Sequence, residues 1–206
     1  MPSHSSARYA TGLAALLLAI GACSLNPKQD PSQFYVLTAM AVDTSGAPAA
    51  AARVAWEESI GVGPLRLPAY IDRPQMVTRL SEVQVSISEF ERWAEPLKSN
   101  LTAVLARNLE IELGTTRVAT FPWSTAVELT IDITVHRFER DASGNASLRC
   151  AWTILDRERA PLLSRESSYR EPATDASTDA AVLALSRTVE RLSADIAAAL
   201  RQLPEN

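Results

Sequence analysis

Cys23 is the residue whose setting is most specific for chemistry. It ends the run Leu-Ala-Ala-Leu-Leu-Leu-Ala-Ile-Gly-Ala-Cys, Leu13 to Cys23. Two small residues, Gly21 and Ala22, precede the thiol, and only a thiol can make a thioether. The other reactive side chains are sparse. His4 lies ahead of the apolar run. His136 lies in an alternating stretch with Glu128, Thr130, Asp132 and Thr134, on a face that reads as solvated. Cys150 falls on the apolar side of its own alternation, where a small buried hydrophobe is the default. One histidine and one thiol downstream of the run cannot assemble a zinc site of the usual ligands. There is no G-x-S-x-G elbow, P-loop or dinucleotide fingerprint. Gly61-Val62-Gly63 precedes a proline rather than a helix, so it does not cradle phosphate. This inventory argues against an enzyme.

The elements around Cys23 are those of an export signal. A short n-region with Arg8 leads into an apolar run from Ala10 to Ala22. As a helix the run reaches about 20 Å, against roughly 30 Å for a bilayer core, so it reads as a signal peptide and not a span. Ile20-Gly21-Ala22-Cys23 resembles the bacterial lipobox. The resemblance implies recognition of Ile20, Gly21 and Ala22 by the signal peptidase, cleavage before Cys23, and acyl chains (palmitate among them) on its sulfur. No other cofactor is expected. Each buried methylene contributes about 0.8 kcal/mol, so two or more acyl chains hold a protein on a membrane. Ser24, where an aspartate would imply inner-membrane retention, is similar to the pattern sent to the outer membrane. An ordinary secretory peptide with a chance cysteine is the alternative.

Removing residues 1–22, which carry one arginine and no acid, leaves 184 residues and moves the net charge from −4 to −5. That length suits one domain. The acidic balance gives no electrostatic footprint for nucleic acid. With lipid on Cys23, Cys150 has no partner for a disulfide. The organisation read from the sequence is a signal peptide over 1–22, a lipidated terminus and tether over 23–33, and one domain over 34–203. Pro27 and Pro31 sit in the polar tether.

Within the domain, Gln33–Ala39 reads as a strand and the Ala-rich 44–53 as a loop. Ile60–Leu67 reads as a strand with a bend or close approach at its glycines. Gln75–Thr78 is a brief strand. Val83, Val85 and Ile87 alternate onto one face. A helix opens with Pro96 at its first position and carries the stripe Leu97, Leu101, Val104, Leu105 and Leu109, with Gly114 as its stop. Val118–Pro122 is a short strand. Ala126–Phe138 and Ala146–Ile154 alternate cleanly around the turn Ser143-Gly144-Asn145, which predicts a long hairpin with a bulge near Arg137. Leu162–Tyr169 adds a third strand. A last helix runs from Thr178 to Leu203, capped by Asp175 or Thr178; its stripe covers the sheet or meets a partner helix. The expected fold is α+β: a single domain, a mainly antiparallel sheet, and two principal helices on one face.

Two segments carry a family resemblance. Ile60-Gly61-Val62-Gly63-Pro64-Leu65-Arg66-Leu67-Pro68-Ala69-Tyr70-Ile71-Asp72-Arg73-Pro74-Gln75 resembles the opening signature of the ABC-type transport auxiliary lipoproteins. Glu91-Arg92-Trp93-Ala94-Glu95-Pro96-Leu97 resembles their second signature, and Ser186 through Ala197 their closing helix. The resemblance implies a non-enzymatic lipoprotein on the periplasmic face of the outer membrane. It would work with a periplasm-spanning MCE-domain protein and with ABC or other inner-membrane components in moving lipids between membranes. Homo-oligomers are compatible with such a partner. Tyr70, Arg73, Pro74, Gln75 and Trp93 are candidates for the partner contact, because proline fixes the backbone and Tyr or Trp can anchor. The same residues also fit a core and turn role. Two other readings stay open: a lipoprotein that itself holds a hydrophobic ligand in a cavity of several hundred Å³, and a lipoprotein of outer-membrane assembly.

Overall fold

A computed structural model describes residues 30–41 and 56–204 of the chain. Ile20, Gly21, Ala22, Cys23 and the Ala-rich stretch 44–53 lie outside the described residues. From Ser32 onward the chain forms one compact unit. Its elements are β1 (Gln33–Tyr35), β2 (Ile60–Arg66), β3 (Gln75–Arg79), β4 (Val85–Trp93), α1 (Leu97–Leu113), β5 (Val118–Thr120), β6 (Leu129–Asp141), β7 (Ala146–Leu155), β8 (Pro161–Glu171) and α2 (Thr178–Leu200). The fold is α+β.

The spine is β6. One edge pairs antiparallel with β7, from Thr130↔Leu155 to Arg140↔Ala146, and β7 pairs antiparallel with β8. The other edge is shared. β2 lies parallel along its first half (Ile60↔Leu129 to Arg66↔Thr134), and β3 parallel along its end (Thr78↔Arg140, Arg79↔Asp141). β5 extends the β2 side and β4 then β1 extend the β3 side, giving the order β1-β4-β3-β6-β2-β5. β1 is parallel to β4 and β5 parallel to β2. The sheet is therefore mixed, not mainly antiparallel. Alternation reports which face is buried and carries no direction, which is why the parallel pairs were not legible in it.

The long hairpin forms because both its strands bury alternate residues. Ile131, Ile133, Val135 and Phe138 on β6 face Leu148, Cys150, Trp152 and Ile154 on β7 in the core. The step from Val135 to Phe138 is a residue too long for period two, and the ladder shifts between Val135 and Arg137 to absorb it. His136 is exposed at this bulge, whereas Thr130 on the same alternation is buried. Trp152 is buried, donates from Nε1 to Ser167 Oγ at 3.0 Å, and lies under Arg165. Gly61 sits where a Cβ would come within 2.8 Å of the Trp123 ring. Gly63 has φ of +115°, a conformation open to glycine.

Both helices pack on the core side. The α1 stripe is buried as its spacing predicts, and Gly114, left-handed at φ +65°, stops the helix. Pro96 is the cap rather than the first helical residue. On α2 the cap is Ser177, whose Oγ accepts from the Ala180 N–H; Asp175 instead accepts the N–H of Ser177, and Thr178 is already helical. α2 covers β7 and β8. There Tyr169 donates to Asp195 Oδ2 at 2.5 Å, Arg191 stacks over the Tyr169 ring, and Arg191 and Arg187 pair with Glu171.

The predicted first strand is cut short at Tyr35. Val36–Met40 leaves the sheet and runs as a strap over the helices. Its amides are satisfied by helix side chains: Leu37 N–H donates to Asn100 Oδ1 at 2.7 Å, Thr38 N–H to Ser186 Oγ at 3.1 Å, and Met40 N–H to Asn108 Oδ1 at 2.8 Å. The spacing explains the fit. Eight helical residues span about 12 Å, close to the roughly 10 Å of three extended ones.

Candidate functional site

The corner between β2 and β3 gathers the residues that the sequence singled out. Pro68 starts a turn whose carbonyl accepts from the N–H groups of Ile71 and Asp72, both at 3.1 Å. Pro74 then presents its carbonyl to the Trp93 N–H at 2.7 Å, and Gln75 pairs with Arg92 across the β3–β4 ladder. Pro74 and Gln75 thus lie beside Trp93 just ahead of α1, whereas Tyr70 turns to Arg79 at the other end of β3. Their exposures differ. Trp93 is only 7% exposed and belongs to the core, Tyr70, Arg73 and Gln75 are half-buried, and Pro74 is exposed.

Charge is locked at this corner. Glu139, 2% exposed, accepts Arg79 Nε at 2.6 Å and lies 3.4 Å from Arg137 Nε. Arg79 also reaches the Tyr70 hydroxyl at 3.4 Å and lies over the Tyr70 ring. Burial first, then the Glu139 charge, pushes the Tyr70 hydroxyl above its usual range. A second network ties β3, β4 and β6 to α2. Arg140 donates to Thr78 Oγ1 at 2.9 Å, to Thr178 Oγ1 at 2.8 Å, and to Glu91, and Thr178 donates to Glu91. Burial opposes ionisation of Glu91, but the Thr178 hydroxyl and Arg140 outweigh it and hold its carboxyl below the ordinary value.

Glu139 is held by guanidinium groups, and Glu91 by Arg140 together with the Thr178 hydroxyl. Cys150 is fully buried and its thiol is pushed up to about 12 by burial, which makes it inert. Among the described residues, no three His, Cys, Asp or Glu side chains converge as metal ligands. The cavity between the sheet and the helices, lined by Ile71, Gln75, Met76, Trp93, Phe138 and Glu139, measures about 10 Å³, room for one water and not for an acyl chain. A cleft of about 230 Å³ opens on the surface between the start of α1 and the ends of β2 and β5, lined by Leu65, Lys98, Ser99, Thr102 and Phe121.

Two features escaped the sequence reading. The polar residues inside the buried helix stripes, Asn100, Asn108 and Ser186, hold the strap; their presence on otherwise apolar faces was the available signal. The second is the tip of the β3–β4 hairpin. Val83, Val85 and Ile87 do alternate, but β4 starts only at Val85, and Val83 is 95% exposed in the connecting turn. Leu80, Ile87 and Phe90 are also exposed.

Comparison with known proteins places these features. The family described as ABC-type transport auxiliary lipoprotein component matches residues 35–197. The chain is similar to the intermembrane transport lipoprotein PqiC of Escherichia coli (strain K12) and of Shigella flexneri, 25% identical to each over 171 residues, covering 83% of this chain and 87% of theirs. Its fold is shared with a crystal structure of an uncharacterized protein (TM-score 0.68, 22% identity, 82% of this chain and 98% of that one). It is also shared with protein XCC0632 from Xanthomonas campestris (TM-score 0.66, 19% identity, 81% and 93%). The family is one of transport auxiliary components and not of enzymes. With a family match that takes in every element from Tyr35 into the last turns of α2, this chain belongs to the ABC-type transport auxiliary lipoprotein component family.

Proposed function

We propose that this protein is held on the periplasmic face of the outer membrane by acyl chains on Cys23, and that it docks there with a periplasm-spanning MCE-domain protein. In that position it serves as the auxiliary component of an ABC-type system that moves lipids between the membranes. The observation that carries the reading is the order of the chain: the lipobox-like Ile20-Gly21-Ala22-Cys23, a terminus and tether over 23–33 whose last residue is taken up in β1, and then a domain whose family match begins at Tyr35. Similarity to PqiC, an intermembrane transport lipoprotein, supports the same role. Among the described residues the cavity between sheet and helices is water-sized, which supports a protein that acts through its surface rather than as a lipid carrier. In-cell crosslinking followed by identification of the partner tests docking; an MCE protein is expected, and a β-barrel assembly machine in its place overturns it. Cys23→Ser releases the protein from membranes if the anchor reading holds. A variant that stays in the membrane fraction refutes it.

A further inference from the structure

We propose that the apolar tip of the β3–β4 hairpin rests in the surface of the same bilayer that holds the lipid on Cys23, so that the domain contacts the membrane at a second point and takes a fixed tilt. The inference rests on the anchor reading above.

The tip is an anomaly that the fold does not explain. Val83 is 95% exposed, Leu80 49% and Ile87 46%, and the main contacts of both helices are with other strands. The turn reads Ser81-Glu82-Val83-Gln84, so Val83 projects from among polar neighbours, with Leu80 before it and Ile87 after it. Here the turn is closed by backbone bonds from the Leu80 and Ser81 N–H groups to the Gln84 carbonyl, so no apolar side chain is needed to make it. Between Leu80 and Phe90 there is no lysine or arginine; the charges are Glu82 and Glu89. Such a surface does not bind anionic headgroups electrostatically. It suits the apolar boundary of a bilayer.

Direction and length say why that bilayer is within reach. β1 runs parallel to β4, with Gln33 opposite Glu91 and Tyr35 opposite Trp93. Gln33 is therefore the end of β1 that faces the hairpin tip, and the tether joins the fold from the tip side. Arg92 lies opposite Gln75 and Val85 opposite Arg79, so a bulge shortens β4 and Val83 lies roughly 15–20 Å from the Glu91 end. Residues 23–32 span at most about 35 Å at full stretch, more than that distance, so the length of chain before β1 allows the tip to reach the surface that holds the lipid. The tether also holds the tip at an effective concentration of about a millimolar, which makes a weak apolar contact persist.

The test uses the full chain, acylated in its host and reconstituted into vesicles of phosphatidylethanolamine and phosphatidylglycerol. Val83→Cys, labelled with an environment-sensitive fluorophore, reports the tip. Glu158→Cys reports the β7–β8 turn at the far end of β6; Cys150 is buried and stays unlabelled. On reconstitution the label at position 83 should shift to the blue and be quenched by lipids carrying a shallow spin label, at low and high salt alike, while the label at 158 stays unchanged. Protein that floats with the vesicles but shows no shift or quenching at position 83 overturns the tip contact and leaves the anchor standing. A shift at 83 only after a partner protein is added overturns it in favour of a protein interface. Failure to float at all removes the anchor reading and this contact with it.

Discussion

Replacing Asn100 by alanine tests whether the strap is part of the fold or merely lies on it. Asn100 is 6% exposed and Leu37 4%. The Asn100 carboxamide accepts the Leu37 N–H at 2.7 Å and donates to Glu95 Oε1 at 2.7 Å. In Asn100→Ala the Leu37 amide stays buried with no acceptor, which costs about 1–3 kcal/mol. Glu95 is exposed and turns to water, so its loss adds little. For a domain of this size, about 2 kcal/mol lowers the melting temperature by about 4–8 °C. Thermal unfolding followed by circular dichroism reads the global loss. Amide exchange at Leu37 reads the local one and should accelerate more than exchange in β6. Asn100→Asp keeps an acceptor for Leu37 but sets a carboxylate against Glu95, so it should recover stability only in acid. If Asn100→Ala melts with the parent and Leu37 exchanges equally fast in both, the strap is not held by the helix.

Three further outcomes follow from the packing. The Glu91 carboxyl sits below its ordinary 4.5, so its contribution is complete above that pH and disappears as pH falls through the lower folded value; Glu91→Gln should flatten the acid limb of stability measured by urea titration. Burial first, then the acceptor Asp195, pushes the Tyr169 hydroxyl well above its ordinary 10.0, so its contribution holds below pH 10 and is lost as pH rises beyond it. Tyr169→Phe should start less stable and vary less over that alkaline range, a difference that would be missing if Tyr169 were solvated. Gly61→Ala forces a methyl to within 2.8 Å of the Trp123 ring and should cost about 1–3 kcal/mol in chemical denaturation; an unchanged midpoint would mean that the ring is free to move aside.

Much of the fold was legible because burial writes itself into period. The β6–β7 hairpin, its turn at Ser143–Asn145 and the α1 stripe between Pro96 and Gly114 all follow from alternation or helical spacing. What period cannot carry is pairing. Nothing in Ile60–Leu67 or Gln75–Thr78 states that both run parallel to one edge of the same strand. The strap was missed for a related reason: Val36 to Met40 looks extended, and it is, but its hydrogen bonds go to Asn100, Ser186 and Asn108 instead of to a ladder. Among the candidate contact residues, Trp93 takes the core role that the sequence left open beside the contact role, because β4 ends over the core where α1 begins, and Pro74 is exposed.

The brevity of β1 bears on how the domain carries mechanical load. A pull arriving at Gln33 from upstream acts along the strand axis and strains the three β1–β4 residue pairs together, in shear. Behind them stand the strap amides, gripped one after another by α1 and α2. Tension on the amino-terminal end therefore reaches both helices before it reaches β6, and the spine of the sheet remains shielded while that clasp holds.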